Sequence, residues 1–441
     1  MTAVRFGTDG IRGVANEQLT PELALAIGRA AARVLGGPRL VVGRDPRRSG
    51  PMLEAAFVAG VCSEGVSVEL LGVVPTPAVA LRSERSSSPA AMISASHNPF
   101  GDNGIKLFAP GGLKLSDQVQ AEVEAVLAER DGPTGAPVVG AGVGEIDTFD
   151  VGPDYLAHIA ESLEGRRLEG LSIVLDTANG ASSAYAAGLF AELGATVEAI
   201  NTAPDGVNIN ESAGSTHPEG LQRRVLDVGA DLGFAFDGDA DRMLAVDSAG
   251  RLIDGDQLMA IAAADMKSRG VLRGNTVVVT VMTNLGFRIG MRALGIDVID
   301  TAVGDRFVLE ALDAGRYALG GEQSGHLIFR DRATTGDGLL SAAVIADIVS
   351  RSGVPLAELA DSVMSRLPQV LRNVRIAAPM PDVAERMAGP LAEASEALGD
   401  TGRVLVRPSG TEPVVRVMVE AVDAATADDW CDRLVAVVEG L

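Results

Sequence analysis

Leu171-Ser-Ile-Val-Leu-Asp176, a polar loop, an alanine- and leucine-rich segment and then Gly194-Ala-Thr-Val-Glu198 decide the fold of this chain. A short β-branched run, a helix and a second β-rich run opening at glycine form a parallel strand–helix–strand unit, because only a crossover of this length joins parallel neighbours. The pattern occurs twice more. Leu40-Val-Val-Gly-Arg-Asp45 pairs with Gly65-Val-Ser-Val-Glu69, and Thr276-Val-Val-Val-Thr280 pairs with Gly295-Ile-Asp-Val-Ile299. Three occurrences predict three tandem, similar α/β domains with mixed, largely parallel sheets covered by helices. One large doubly wound sheet is the competing architecture. The tail reads differently. Val374-Arg-Ile-Ala377 is a short strand and residues 382–398 form a helix. Arg403-Val-Leu-Val406 pairs with Val414-Val-Arg-Val-Met-Val-Glu420, and residues 424–441 close as an amphipathic helix. The expected divisions are 1–150, 151–252, 253–367 and a smaller α+β domain at 368–441.

Composition agrees with this size. The chain has 441 residues, 47% of them hydrophobic but only 3% aromatic, so its cores rest on Ala, Val, Leu and Ile. The formal charge of −22 argues against nucleic acid, whose binders carry basic patches. An anionic substrate would need a metal or focused arginines to overcome that field. Two cysteines in so long a chain do not make a disulfide scaffold and favour a cytoplasmic setting. The first residues show no signal-peptide pattern, and no apolar run is long enough to span a bilayer.

Four segments carry chemistry. Met92-Ile-Ser-Ala-Ser-His-Asn-Pro99 ends an apolar run in small residues, and Pro99 biases Asn98 toward extended backbone. Ser96 is expected on a tight, exposed loop after a buried strand, as a nucleophile or a phosphoryl carrier. Ser96 and His97 do not make a hydrolase dyad, since adjacent side chains on an extended segment diverge and the Gly-x-Ser-x-Gly elbow is absent. The plainer alternative is a turn serine braced by proline. Asp237, Asp239 and Asp241 follow the strand-like Leu232-Gly-Phe-Ala-Phe236. In an extended loop their carboxylates share one side, where mutual repulsion calls for a divalent cation. All-oxygen ligation suits Mg2+, against the alternative of a solvated acidic turn.

Gly320-Gly-Glu-Gln-Ser-Gly-His326 offers a carboxylate, an amide, a hydroxyl and an imidazole, a mixture suited to sugar hydroxyls and amines. A strand connection with a satisfied histidine is the alternative. Arg407-Pro-Ser-Gly-Thr-Glu-Pro413 combines an arginine, two hydroxyls and glycine-exposed N–H groups, the inventory of a phosphate clamp, with Arg416 as a second fork. An ordinary hairpin turn is the alternative there.

Taken together and in this order, the segments resemble the α-D-phosphohexomutase superfamily, most closely its bacterial phosphoglucosamine mutase branch. The likeness spans nearly the whole chain. Phe6-Gly-Thr-Asp-Gly-Ile-Arg-Gly13 is similar to the N-terminal signature, and Ser94-Ala-Ser-His-Asn-Pro99 to the phosphoserine loop, with Ser96 at the phosphorylated position. Asp237, Asp239 and Asp241 match the metal loop, and the segments at 321–326 and 407–413 match the sugar and phosphate loops. Gln323, Asn208-Ile-Asn210 and Gly214-Ser-Thr-His217 resemble the glucosamine branch, which often has a cysteine where this chain has Ala213.

The resemblance implies three similar α/β domains and a smaller fourth. It also implies interconversion of glucosamine 6-phosphate and glucosamine 1-phosphate, feeding amino-sugar nucleotide and cell-wall precursor synthesis. Phosphorylated Ser96, one Mg2+ and glucosamine 1,6-bisphosphate as intermediate come with it. Ser96 joins the three aspartates as a metal ligand. His97 and Lys106 are the implied proton carriers, and Arg12 and Arg242 steady the phosphoserine. Glu322, Ser324 and His326 bind the sugar, and Arg407, Ser409, Gly410, Thr411 and Arg416 bind the remote phosphate. A homodimer, and a kinase or autophosphorylation as the source of the first phosphate, remain open as partners. So do a phosphomannomutase or phosphoglucomutase specificity and a non-catalytic sugar-phosphate sensor. A haloacid-dehalogenase-type phosphatase built on Asp237 fits less well, because its motif wants Thr or Val at Asp241.

Overall fold

The computed structural model describes residues 10–128, 138–378, 380–408 and 414–441. They fall into two compact units, within the bounds Met1–Val281 with Val298–Ala360, and Met282–Asp297 with Asp361–Leu441. The first unit contains three sheets. One comprises β1 (Ile11–Val14), β2 (Arg39–Arg44), β3 (Ser67–Val73), β4 (Ala90–Ile93), β5 (Asp102–Ala109), β6 (Leu113–Lys114) and β7 (Ile146–Thr148). Its order is β1-β5-β4-β2-β3-β7, with β6 on β5. The next comprises β8 (Ser172–Asp176), β9 (Thr196–Ile200), β10 (Leu232–Phe236), β11 (Met243–Asp247) and β12 (Leu252–Ile253), in the order β12-β11-β10-β8-β9. The last comprises β13 (Thr276–Thr280), β14 (Asp297–Thr301), β15 (Leu319–Gly321) and β16 (Leu327–Phe329), in the order β14-β13-β15-β16.

These sheets share one topology. In each, the first strand of the predicted unit lies between the second strand and a third, and a fourth strand runs antiparallel beside the third. Thus β3-β2-β4-β5, β9-β8-β10-β11 and β14-β13-β15-β16 are equivalent runs. β2 is parallel to β3 and β4, β8 is parallel to β9 and β10, and β13 is parallel to β15. β4–β5, β10–β11 and β15–β16 are antiparallel. Three sheets, rather than one large doubly wound sheet, account for the three sequence repeats.

The second strand of each pair begins two residues later than its glycine. Gly65, Gly194 and Gly295 have φ of +83°, +102° and +63°, so they turn the chain before the strand begins. Only glycine adopts that region without a Cβ penalty. Each first strand ends in a buried, valine- and leucine-rich centre: Leu40, Val41, Val42, Val174, Leu175, Val277, Val278 and Val279 are all inaccessible. Burial on both faces explains why these strands read as continuous apolar runs instead of alternating ones.

The second unit carries β17 (Gln369–Arg375), β18 (Arg403–Pro408) and β19 (Val414–Glu420), with β19 central and both pairings antiparallel. Val374, Val415, Val417 and Val419 pack against Cys431, Leu434 and Val438 of the Ala424–Glu439 helix. Two local expectations need correction. The first strand lies at 369–375 rather than 374–377, because its pairing with β19 extends toward Gln369. The 382–398 helix is two helices, Val383–Arg386 and Ala388–Leu398, broken at Met387, which is buried in this core. Both cysteines are buried and free.

Candidate active site

The equivalent antiparallel turns of the three sheets carry three of the four segments singled out by sequence. Ser96 follows β4, the aspartates lie between β10 and β11, and residues 322–326 join β15 to β16. Ser96 is not exposed as expected but only 1% accessible. Asn210 Nδ2 donates to the Ser96 carbonyl at 2.9 Å. Ser96 adopts φ +53°, a left-handed conformation that is costly for a residue with a Cβ. That turn also overrides the expected divergence of neighbouring side chains: Ser96 Oγ lies 3.3 Å from His97 Nδ1. The same oxygen donates its proton to Asp237 Oδ2 at 2.5 Å.

The three aspartates do converge, through a turn rather than an extended loop. Ala240 has φ +57°, and its N–H donates to the Asp237 carbonyl at 3.1 Å. One oxygen from each carboxylate falls within 4.8 Å of the others, and all three residues are buried. Glycine is required between the first two. A Cβ on Gly238 would stand 2.6 Å from the Ser96 carbonyl oxygen. Thr76, which the sequence did not single out, donates its hydroxyl to Asp239 Oδ2 at 2.6 Å and its N–H to the Asp239 carbonyl. Lys106 Nζ lies 3.3 Å from Asp241 Oδ2 and 3.8 Å from Asp239 Oδ2.

Burial, reinforced by Asp239 and Asp241, pushes the Asp237 carboxyl well above the usual range. Burial acts the same way on Asp241, but Lys106, His326 and Arg242 outweigh it and hold that carboxyl low. Asp239 Oδ1 and Asp241 Oδ1 are buried without a hydrogen bond. Buried carboxylates with unsatisfied oxygens on one point fit a hard divalent cation of the Mg2+ type.

Arg242 links the serine loop to this cluster. Its backbone N–H donates to Asp237 Oδ1 at 3.2 Å, and its guanidinium donates to His97 Nδ1 at 2.8 Å. His97 therefore accepts at Nδ1 and carries its proton on Nε2. Burial, with the charges of Arg242 and Arg12, lowers the imidazole to about 4. Arg12 lies on β1 opposite Gly104 of β5, where a Cβ would stand 3.0 Å from Arg12 Cγ.

The 322–326 turn is divided in its roles. Ser324 is exposed and Glu322 half-buried, with Glu322 Oε1 accepting from Gly304 N–H at 3.2 Å. Gln323 donates to Asp254 Oδ2 at 3.4 Å. His326, expected to touch sugar, is instead buried behind the metal loop. Its Nε2 accepts from Gly336 N–H at 3.1 Å, and its Nδ1 lies 3.7 Å from Asp241 Oδ1. Burial lowers its pKa, but Asp241, Asp305 and Glu322 prevail and raise it above the usual value.

In the second unit Arg407 and Arg416 face each other across β18 and β19, both half-buried. Burial and the charge of Arg416 lower Arg407 from its usual value. Two guanidinium groups in register suit an anion with several acceptor oxygens. Ser409, Gly410 and Thr411, like Phe6 to Asp9 of the N-terminal signature, lie outside the described residues.

Comparison with known proteins gives the family. Residues 3–133, 153–250 and 254–367 match domains I, II and III of the phosphoglucomutase/phosphomannomutase family, each an alpha/beta/alpha domain, and residues 362–437 match its C-terminal domain. The phosphoglucosamine mutase of Saccharopolyspora erythraea is 53% identical, covering 99% of both chains, and that of Rhodococcus opacus 52%, covering 98% of both. The chain belongs to the phosphoglucosamine mutase family. A phosphoglucomutase/phosphomannomutase family protein of Burkholderia thailandensis shares the fold, with a TM-score of 0.80, 27% identity and coverage of 98% and 96%. Membership makes the chain an isomerase of the phosphohexomutase type, interconverting glucosamine 6-phosphate and glucosamine 1-phosphate.

Proposed function

We propose that Ser96 is the phosphoryl carrier of this mutase and that Asp237, Asp239 and Asp241 hold one Mg2+ beside it. The observation that carries the reading is the 2.5 Å approach of Ser96 Oγ to Asp237 Oδ2 within a buried triad. A phosphoserine brings about −1.5 to −2 charges into this setting. Mg2+ supplies neutralisation of that charge and of charge on the transferring group. The remaining work is positioning, which dominates phosphoryl transfer.

Phosphoserine donates to the free hydroxyl of glucosamine 6-phosphate and gives the 1,6-bisphosphate. The sugar reorients, and its other phosphate returns to Ser96. His97, held neutral with Nδ1 occupied by Arg242, orients the serine and offers Nε2–H to an incoming phosphate. Lys106, buried beside the triad, exchanges a proton with the sugar hydroxyl in this reading. Arg242 and Arg12 steady the phosphoserine. Glu322 and Ser324 meet the sugar, and Arg407, Ser409, Gly410, Thr411 and Arg416 clamp the phosphate that is not reacting.

Ser96→Ala tests the core of this reading. We expect loss of the modification and a fall in kcat on the order of 10^4- to 10^6-fold, the scale of losing a nucleophile, with the fold intact. Peptide mass spectrometry that places the phosphate on Ser94 would overturn it.

A further inference from the structure

We propose that Arg47 and Asn210 are positioning residues for phosphoryl transfer, gripping the backbone of the Ser96 loop so that the serine oxygen is aimed at the metal cluster. The inference rests on Ser96 being the phosphoryl carrier.

Arg47 is fully buried, in the middle of the loop between β2 and the Gly50–Ser63 helix. Its guanidinium has five N–H donors, and all five are engaged. Nε donates to Asp45 Oδ2 at 2.8 Å. Nη2 donates to the carbonyls of Ser96 at 2.9 Å and Asn98 at 2.7 Å. Nη1 donates to the carbonyl of Asp102 at 3.1 Å and to that of Pro99. Four donors of one side chain thus hold four carbonyls of a single loop, from its reactive serine to the start of β5. Asp45 completes the frame. It accepts the Ser94 hydroxyl at 2.6 Å, and Ser94 Oγ in turn accepts the Ser96 N–H at 2.9 Å.

Asn210 grips the same carbonyls from the second sheet's side. Its Nδ2 donates to Ser96 O at 2.9 Å and to Asn98 O at 3.1 Å. The segment that presents it is itself pinned. Arg48 N–H donates to Gly206 O, and Asn210 N–H donates to Ala178 O. Asn208, two residues before, ties its own turn through Ala203 O and Asp205 N–H.

The need for such a grip follows from Ser96 itself. A serine at φ +53° is held against its own backbone preference. Released, the loop would relax toward negative φ and swing Oγ away from Asp237. The substrate need not touch Arg47 or Asn210, so weakening the grip alters the aim of the nucleophile rather than the affinity for sugar. Lysine cannot replace Arg47, because it has three donors and no planar fork.

The test uses the full-length Mg2+-loaded enzyme carrying Asn210→Gly or Arg47→Lys. Glycine keeps the positive φ of residue 210 while deleting the amide. We expect kcat, and the single-turnover rate of phosphoryl transfer from Ser96, to fall about ten- to a hundredfold, as misplacement of about 1 Å does elsewhere. KM for glucosamine 6-phosphate should stay within about twofold, and phosphate should remain on Ser96. Wild-type kcat in folded Asn210→Gly overturns the proposal, as does a loss confined to KM. Should Arg47→Lys not fold, Asn210→Gly decides the matter alone. Ser96→Ala is measured alongside. Activity surviving in Ser96→Ala refutes the carrier assignment, whereas an inactive Ser96→Ala beside a fully active Asn210→Gly refutes only the positioning role.

Discussion

Asp239 shows how much a single carboxylate is asked to do. One oxygen receives the Thr76 hydroxyl, and the other is buried with no hydrogen bond. An unpaired buried oxygen of a charged group is costly, so this arrangement calls for a cation. Asp239→Asn replaces one oxygen by an amide and removes a charge. We expect Mg2+ affinity to fall about 10- to 100-fold and turnover to require correspondingly more Mg2+. In the unaltered enzyme, chelation should abolish turnover and Mg2+ should restore it. Full activity in a metal-stripped preparation would end the metal assignment. Sequence spacing was enough to find these aspartates, since three acids following an apolar strand have few other uses. It could not find Thr76, which belongs to a different sheet's crossover helix and carries no motif of its own.

At the scale of elements, the helix Gly338–Ser352 is tied to the site by its first residues. Asp337 caps it, accepting from Leu340 N–H at 3.0 Å and from the Tyr155 hydroxyl at 2.8 Å. The next residue, Gly338, donates its N–H to Ala240 O in the metal loop, and Gly336 donates to His326. Burial raises the Asp337 carboxyl to about 6, although Leu340, Tyr155 and His158 oppose the shift. A carboxyl with a raised folded pKa binds its proton more tightly folded than unfolded. Its contribution to stability is therefore present below the unfolded value and lost as pH rises through about 6. We expect Asp337→Asn, which keeps an acceptor for the cap, to be more stable than wild type by about 1–3 kcal/mol at pH 8, and nearly equal to it at pH 4. Denaturant midpoints at both pH values check this, and a deficit at pH 8 would show that the charged cap is worth more than its burial costs.

For the whole molecule, the balance of charge sets the problem. A chain of net charge −22 must attract a sugar phosphate, and local cations have to prevail over that field. In the function proposed above, Arg407 holds the phosphate that is not reacting, a contact that would be present in ground and transition states alike. Arg407→Ala should raise KM about 10- to 100-fold, the scale of a charge-assisted bond, with a smaller loss of kcat because remote binding also positions the substrate. Unchanged kinetics would reduce this loop to a turn. For the sugar, Glu322 is suited to a 2-ammonium group, worth about 1.5–3 kcal/mol or roughly ten- to a hundredfold. Glucosamine 6-phosphate should have the highest kcat/KM, glucose 6-phosphate a lower one and mannose 6-phosphate, with its inverted 2-position, the lowest. Glu322→Gln should narrow the first gap selectively. An equal loss on glucosamine and glucose phosphates would instead assign Glu322 to the sugar's other hydroxyls.

The amino-acid sequence by itself determined the three strand–helix–strand repeats and the antiparallel tail, and it singled out Ser96 and the aspartates as candidates. Each of these is written in local order, as apolar runs, turn glycines and closely spaced functional groups. Tertiary structure alone decided where those groups point. Ser96 is buried rather than exposed, and its partners Asn210 and Asp237 lie more than a hundred residues away along the chain. His326, expected at the sugar, is buried because Asp241 and Gly336 meet it from two other parts of the chain. Arg47 and Asn210 were legible only as residues of a polar loop and a family-like motif. Their shared hold on Ser96 and Asn98 depends on contacts between residues 49 to 114 positions apart, and no local pattern encodes such a distance.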